Sequence, residues 1–233
     1  MTNILLNLSN FDEDWASESL REIIHADMKV LILPLSYNEG WINDAVEWKH
    51  YYGKGRRYYE ELVRPFRNYG IPDRQIKWVN YFEDDHESAA RKIREADILF
   101  FTGGYPDWMM QRLYDLDLED TIRGYDGVVM GTSAGALIQL EEYHLAPDAD
   151  YEFQYQDGLG LVTGFDMDVH YQEDENHIAS IIRSLEDKGR PVLVCPNQGG
   201  ALIEGEHVEL LDGAFFAGME DLEELYQLYE GLR

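Results

Sequence analysis

The chain is poor in cations, cysteine and proline, and it contains no long apolar run. Only 19 lysines and arginines stand against 46 aspartates and glutamates, a formal charge of −27. A field of that sign repels phosphate backbones and anionic lipid, which disfavours nucleic-acid and membrane-surface partners. With Cys195 as its one cysteine, the chain can form no internal disulfide framework; the residue lies in the apolar run Pro191-Val-Leu-Val-Cys-Pro196 and reads as a small buried hydrophobe. No apolar stretch approaches membrane-spanning length, and residues 1–9 show no basic region followed by an apolar core, so a cytoplasmic protein is expected. No Cys/His cluster has metal-ligand spacing, and neither a metal nor a cofactor is expected. No linker or repeat divides the 233 residues, so one domain spanning 1–233 is the expectation.

What is present is alternation. Residues 4–8 read as a strand, and residues 12–25 as a helix with Trp15, Leu20, Ile23 and Ile24 at helical spacing. Residues 29–35 form a near-continuous apolar strand of the kind buried on both faces. A helix over 57–69, a strand over 76–82, a helix over 85–95 and a strand over 96–101 follow. The last ends at Thr102-Gly103-Gly104, and Pro106 is placed to open another helix. This order predicts a three-layer α/β/α fold with a mostly parallel central sheet, in which ligands bind beyond the carboxyl ends of the strands. The aromatic segment 41–69 also carries Lys54, Arg56, Arg57, Arg64 and Arg67, which read as a helix surface pairing with acids or, alternatively, as a substrate-binding patch. A helix over 219–232 places Leu222, Leu225, Leu228 and Tyr229 on one face, suited to capping the core.

The stretch with chemical content is Gly131-Thr-Ser133-Ala-Gly135, which matches the G-x-S-x-G nucleophile elbow. It follows the apolar residues 127–130 and precedes the helix-compatible residues 136–140. A strand, a sharp turn and a helix would leave Ser133 exposed above the sheet. The competing reading is an ordinary glycine-rich turn binding an anion. Gly103-Gly104 falls at the same sheet edge, where paired glycines can turn backbone N–H groups toward an oxyanion. Serine needs a base to accept its proton. Of seven histidines, His170 is the first candidate because residues 164–170 alternate like a strand that would deliver it to that edge. His177, in a charged helix over 173–185, is the second.

In these residues the chain resembles the peptidase E-like aspartyl dipeptidases and cyanophycinases, which are similar to class I glutamine amidotransferases with serine replacing cysteine. The resemblance rests on Phe101-Thr-Gly-Gly-Tyr-Pro106, Gly131-Thr-Ser-Ala-Gly-Ala136 and Asp168-Val-His-Tyr171, in that order, and covers residues 4–212. It implies a class I glutamine amidotransferase-like fold, Ser133 as nucleophile, His170 as general base, and the N–H groups of Gly104 and Ala134 as the oxyanion hole. Family spacing implies Asp148 as the third triad member, with Asp150, Asp157 and Asp168 as contenders. Gly103, Tyr105 and Arg183 are the implied substrate-binding residues, Arg183 as a cation for an aspartyl carboxylate. The expected function is hydrolysis of short peptides by a dipeptidase-like serine hydrolase, with a non-catalytic binding protein or an amidase or esterase as alternatives and a homodimer left open. Two departures bear on specificity. Tyr105-Pro106 replaces the family's polar residue after Gly-Gly, and Asn197-Gln198 stands where the family shows an acid.

Overall fold

Alternating side chains along five parallel strands build the centre of the molecule, for which a computed structural model describes residues 1–233. These strands are β1 (Thr2–Leu6), β2 (Val30–Leu33), β3 (Ile76–Trp78), β4 (Ile98–Phe101) and β5 (Val128–Thr132), in the spatial order β1-β5-β4-β2-β3. Leu5, Leu31, Leu33, Leu99, Phe101 and Val129 enter one buried cluster. Their neighbours Ile4, Leu6, Val30, Ile32, Ile98, Phe100 and Met130 enter another, on the opposite face. Burial on both faces explains why these strands read as unbroken apolar runs.

Helices α1 (Asp14–Leu20), α2 (Ala45–Tyr52) and α3 (Arg57–Asn68) lie between β1 and β3 in the chain. Ala16 and Leu20 of α1, with Tyr59, Val63 and Phe66 of α3, cover one face. The other is covered by α4 (His86–Glu95), α5 (Pro106–Asp115), α6 (Glu119–Arg123) and the short α7 (Ala134–Leu137), through residues such as Ala89, Ile93, Met109, Leu113, Ile122 and Leu137. Pro106 occupies the first turn of α5, where its missing N–H costs no intrahelical bond. The arrangement is the expected three-layer α/β/α fold.

The second half of the chain departs from simple alternation. A hairpin of β6 (Glu142–Leu145) and β7 (Gln154–Asp157) follows α7, then β8 (Asp166–Asp168), helix α8 (Glu175–Lys188) and β9 (Val192–Val194). Strands β10 (Gly200–Glu204) and β11 (His207–Leu211) return antiparallel to the β1 edge and complete a seven-stranded sheet. β12 (Phe215–Ala217) joins β9 and β8 in a separate three-stranded sheet, and α9 (Leu222–Leu232) packs on α8. The strand expected to end at His170 stops at Asp168 and lies outside the central sheet. Its side chains Asp166 and Asp168 are buried carboxylates that require polar partners, and an apolar central strand would not supply them.

No helix is long and apolar enough to cross a membrane. Phe66 is fully buried beneath α3, edge-on to both Phe11 and Phe100 at ring-centroid distances of 5.2 and 5.3 Å. Truncation to alanine removes these contacts and leaves a cavity, so Phe66→Ala is expected to lower unfolding free energy by ~3–5 kcal/mol in urea denaturation. A loss below about 1 kcal/mol would mean that this layer repacks freely.

Candidate active site

Ser133 follows β5 directly, and its backbone adopts φ +50° and ψ −115°. For a non-glycine residue this region is costly, on the order of 1–3 kcal/mol, and persists only where the surroundings impose it. Two glycines provide the imposition. A Cβ on Gly131 would collide with the Gly135 carbonyl and approach Ala136 N to 2.9 Å, and one on Gly135 would collide with the Phe101 carbonyl. β5, α7 and β4 therefore meet at backbone distance. The Ser133 N–H donates to Leu6 O at 2.8 Å, anchoring the turn to β1.

The neighbouring turn after β4 is held by Ser36, at the end of the segment that follows β2. Ser36 Oγ lies 2.9 Å from Thr102 Oγ1 and donates to Gly103 O, while the Tyr105 N–H donates to Ser36 O at 2.7 Å. Gly104 has φ +137°, and any Cβ there would collide with the Ser36 carbonyl. The N–H groups of Gly104 and Ala134 have no acceptor within the protein. Both residues line, with Ser133 and His170, a cavity of about 490 Å³.

The Ser133 hydroxyl donates to His170 Nε2 at 2.9 Å. His170 itself is left-handed, with φ +58°, and its N–H donates to Asn7 Oδ1 at 3.0 Å. Asn7 closes β1, and its amide nitrogen donates to Pro196 O at 2.7 Å and Asn197 O at 3.2 Å. One buried amide thus fixes the histidine backbone to the central sheet and to the loop after β9. The other ring nitrogen of His170, Nδ1, has no protein partner and is not sealed from solvent.

Behind this pair runs a chain of buried charges. His144 of β6 donates from Nδ1 to Asp166 at 2.7 Å and from Nε2 to Asp168 at 3.2 Å. Asp168 also accepts from His177 Nδ1 at 2.7 Å, and the Ser184 hydroxyl donates to Asp166. Both nitrogens of His144 face carboxylates, so both carry protons. Burial opposes its charge, but Asp166 and Asp168 outweigh burial and push its pKa up to about 10. The same opposition, burial against Asp168, leaves the pKa of His177 raised. His170 moves the other way: burial and the nearby His177 lower its pKa, against a weaker upward pull from Asp168.

The expected site residues fall in several places. Ser133, His170, Gly104, Ala134 and Tyr105 share the cavity, and Gly103 lines an adjoining cleft. Asp148 also faces the cavity, but its carboxylate accepts from the N–H groups of Asp150 and Tyr151 at 2.7 and 2.8 Å and does not touch His170. Asp150 accepts from the Tyr105 hydroxyl at 3.2 Å, Asp157 is exposed on β7, and Asp168 serves His144 and His177. Arg183 lies on the outside of α8, over the Phe153 ring at 4.2 Å and 3.4 Å from Asp187, away from the cavity lining. With its guanidinium on the Phe153 face and beside Asp187, Arg183 stays solvated at the surface. His177, the second candidate base, is half-buried against Asp168, and Ser133 pairs with His170 instead.

Sequence reasoning missed Asn7, Ser36, His144 and Asp166. For Asn7 and Ser36 a signal existed, since each is a polar residue closing a buried strand segment at the edge where sites form. For His144 and Asp166 none did, because nothing local shows that a histidine and two aspartates 22 and 24 residues further on share one buried pocket.

A family model described as peptidase family S51 matches residues 50–211, more than half of the chain. Among solved structures, a Listeria monocytogenes EGD-e protein provisionally assigned as a peptidase E is similar over 90% of this chain and 98% of its own, at 18% identity and a TM-score of 0.62. A peptidase from an acI-B1 Actinobacterium is similar over 93% of this chain and 87% of its own, at 15% identity and a TM-score of 0.58. At these identities the likeness is one of fold. No functionally curated protein matches in sequence.

The buried charges carry a stability consequence. His144→Gln leaves buried Asp166 without a cation and Asp168 with His177 alone, and is expected to cost ~3–5 kcal/mol of unfolding free energy. Because the folded pKa of His144 lies near 10, above the unfolded value of about 6.5, its stabilisation is complete below pH 6.5 and declines as pH rises toward 10. Urea melts of the wild type between pH 6.5 and 9.5 should show that decline, and the variant a shallower one. Parallel slopes in the two proteins would remove His144 from the account.

Proposed function

The chain belongs to peptidase family S51, and from that premise we propose that it hydrolyses amide bonds of short peptides through an acyl-enzyme on Ser133, with His170 as general base. The observation carrying this reading is the 2.9 Å hydrogen bond from the Ser133 hydroxyl to His170 Nε2, made at a strained turn that faces a cavity.

His170 takes the Ser133 proton on Nε2 as Oγ bonds to the peptide carbonyl carbon. The carbonyl oxygen becomes an oxyanion and accepts from the Gly104 and Ala134 N–H groups, which have no competing acceptor. The protonated His170 then gives its Nε2 proton to the leaving nitrogen, and the C–N bond breaks. Water, deprotonated by the same nitrogen, attacks the acyl-serine, and the proton returns to Oγ. In this scheme no carboxylate holds the far side of the ring, because none contacts Nδ1. The Asp168 charge favours the imidazolium from a distance, and the lowered pKa keeps His170 unprotonated and ready as a base near neutrality.

The cavity supports short substrates. Its volume of about 490 Å³ falls in the range of small-ligand sites, and Tyr105, Tyr151 and the 145–148 segment wall it. Its lining has Asp148, Asp150 and Asp168 but no lysine or arginine. Besides His170, the basic side chains of that lining are His144 and His177, and both are held by Asp166 and Asp168, so an aspartyl carboxylate would find no uncommitted cation there.

A fluorophosphonate probe is expected to label Ser133 in the wild type and not in Ser133→Ala. On any dipeptide that the wild type cleaves, Ser133→Ala or His170→Ala should lower kcat by at least ~10⁴-fold. With His170 titrating below the ordinary histidine value of about 6.5, the acid limb of the kcat/KM profile should reach its half-maximum below pH 6.5. An unlabelled but folded protein, or full turnover by Ser133→Ala, would overturn the reading.

A further inference from the structure

Ser133 and Gly104 border two hollows. One is the cavity containing His170; the other is a cleft of about 290 Å³ on the Gly103 side, between the Gly103-Gly104 turn and the α2–α3 segment. Trp41, Ile42, Tyr51, Tyr52, Tyr58 and Leu62 supply its apolar walls. We propose that this cleft binds an aromatic side chain of the peptide substrate, so that the protein selects an aromatic residue beside the bond it cuts. The proposal rests on the catalytic reading given above for the placement of the bond, and on three independent features for the chemistry.

The first is exposure. Trp41 and Tyr58 are 55% and 44% exposed, although other aromatics of the same segment, Tyr37, Trp48 and Tyr59, are buried. Large apolar rings left open beside a reactive group mark a binding surface more than a core. The second is geometry. Tyr58 packs against Tyr51 and Tyr52 at centroid distances of 5.9 and 6.2 Å. Trp41 of the cleft meets Tyr105 edge-on at 6.0 Å, and Tyr105 meets Tyr151 at 6.2 Å, both of these lining the His170 cavity. Aromatic walls therefore accompany a peptide from one hollow to the other past Ser133. Pairs of rings at these separations gain from edge-to-face and offset packing, and an added ring from substrate extends the same pattern.

The third is charge. No lysine or arginine lines the cleft, and its one acid, Glu61, accepts from Arg57 at 2.7 Å. Of the basic residues that made segment 41–69 a candidate anion patch, Arg56 is exposed and outside the cleft lining, and the others are held by acids. Lys54 and Arg67 reach Asp73, and Arg64 reaches Asp12. What the segment presents to Ser133 is ring surface, with no uncommitted charge of either sign. An aspartyl side chain would gain nothing here, whereas an aromatic one would bury most of its area.

The test is binding to the full-length Ser133→Ala protein by calorimetry, with Phe-Ala, Ala-Phe, Asp-Ala and Ala-Ala as ligands. At least one phenylalanine dipeptide should bind about 10-fold or more tighter than Ala-Ala and Asp-Ala. The order that binds tighter identifies whether the cleft serves the acyl side or the leaving side. Adding Tyr58→Ala or Trp41→Ala should bring phenylalanine affinity down to that for Ala-Ala. Both side chains are about half exposed, so each variant should remain folded with only a small fall in melting temperature. Equal affinity for all four dipeptides, or an aromatic preference that survives both substitutions, overturns the proposal. Fluorophosphonate labelling of the wild type separates the two readings. Labelled Ser133 without aromatic preference sinks this inference alone, and aromatic preference without labelling sinks only the catalytic one.

Discussion

Everything at the candidate site depends on the close approach of three backbones, made possible by the missing side chains of Gly131 and Gly135. β5 can press against α7, and α7 against β4, only because no Cβ stands between them. The strained conformation of Ser133 is the result of that packing and cannot relax without separating elements buried on both faces. Because the sheet around β5 is parallel, the ends of β1, β2, β4 and β5 lie together. Asn7, Ser36, Gly104 and Ser133 follow those four ends, which is why residues far apart in the chain form one edge.

Electrostatics divides the labour among the histidines. In a chain with 46 acids, carboxylates beside a histidine favour its protonated form, and the pKa values of both His144 and His177 are raised. A general base needs the reverse. His170 is kept apart from the carboxylates by its left-handed backbone and by its bond to Asn7, and burial first, then repulsion from His177, lowers its pKa. Asp168 thus acts on His170 mainly through His177, the residue it holds, and more weakly through its own distant charge. The buried chain from Ser184 through Asp166, His144 and Asp168 to His177 runs from the core to the cavity wall. Such a network is stable only when every member is satisfied.

Much of the fold was legible because the relevant signals are local. Apolar runs over 29–35 and 96–101, glycine at the turns and proline at the start of α5 each reflect a backbone preference that neighbours do not overrule. The elbow around Ser133 was legible for the same reason; His170 was its first candidate partner from a strand expected to reach the sheet edge, yet it meets Ser133 from the segment after β8, outside the central sheet. The third triad position was not. An acidic chain offers many carboxylates near any histidine, and the turn at Asp148 uses its side chain to hold its own backbone. The segment 41–69 shows the same limit from another side. Its cations drew attention by sequence, yet Lys54, Arg57, Arg64 and Arg67 pair with Asp73, Glu61 and Asp12, Arg56 is exposed away from the cleft, and the segment's rings are what reach the site.

The amino-acid sequence by itself determined the layered α/β architecture, the tight turn bearing Ser133 and the absence of any strongly basic surface, since periodicity, glycine placement and composition act over a few residues or over the whole chain. Tertiary structure alone decided which polar groups meet. It brought Asn7 to the backbone of His170, joined His144 to carboxylates from another strand, withdrew Arg183 to the surface, and set the rings of α2 and α3 beside Ser133. Those outcomes depend on where separate elements pack in space, and a hydrogen bond or a charge has no direction in the chain until that packing exists.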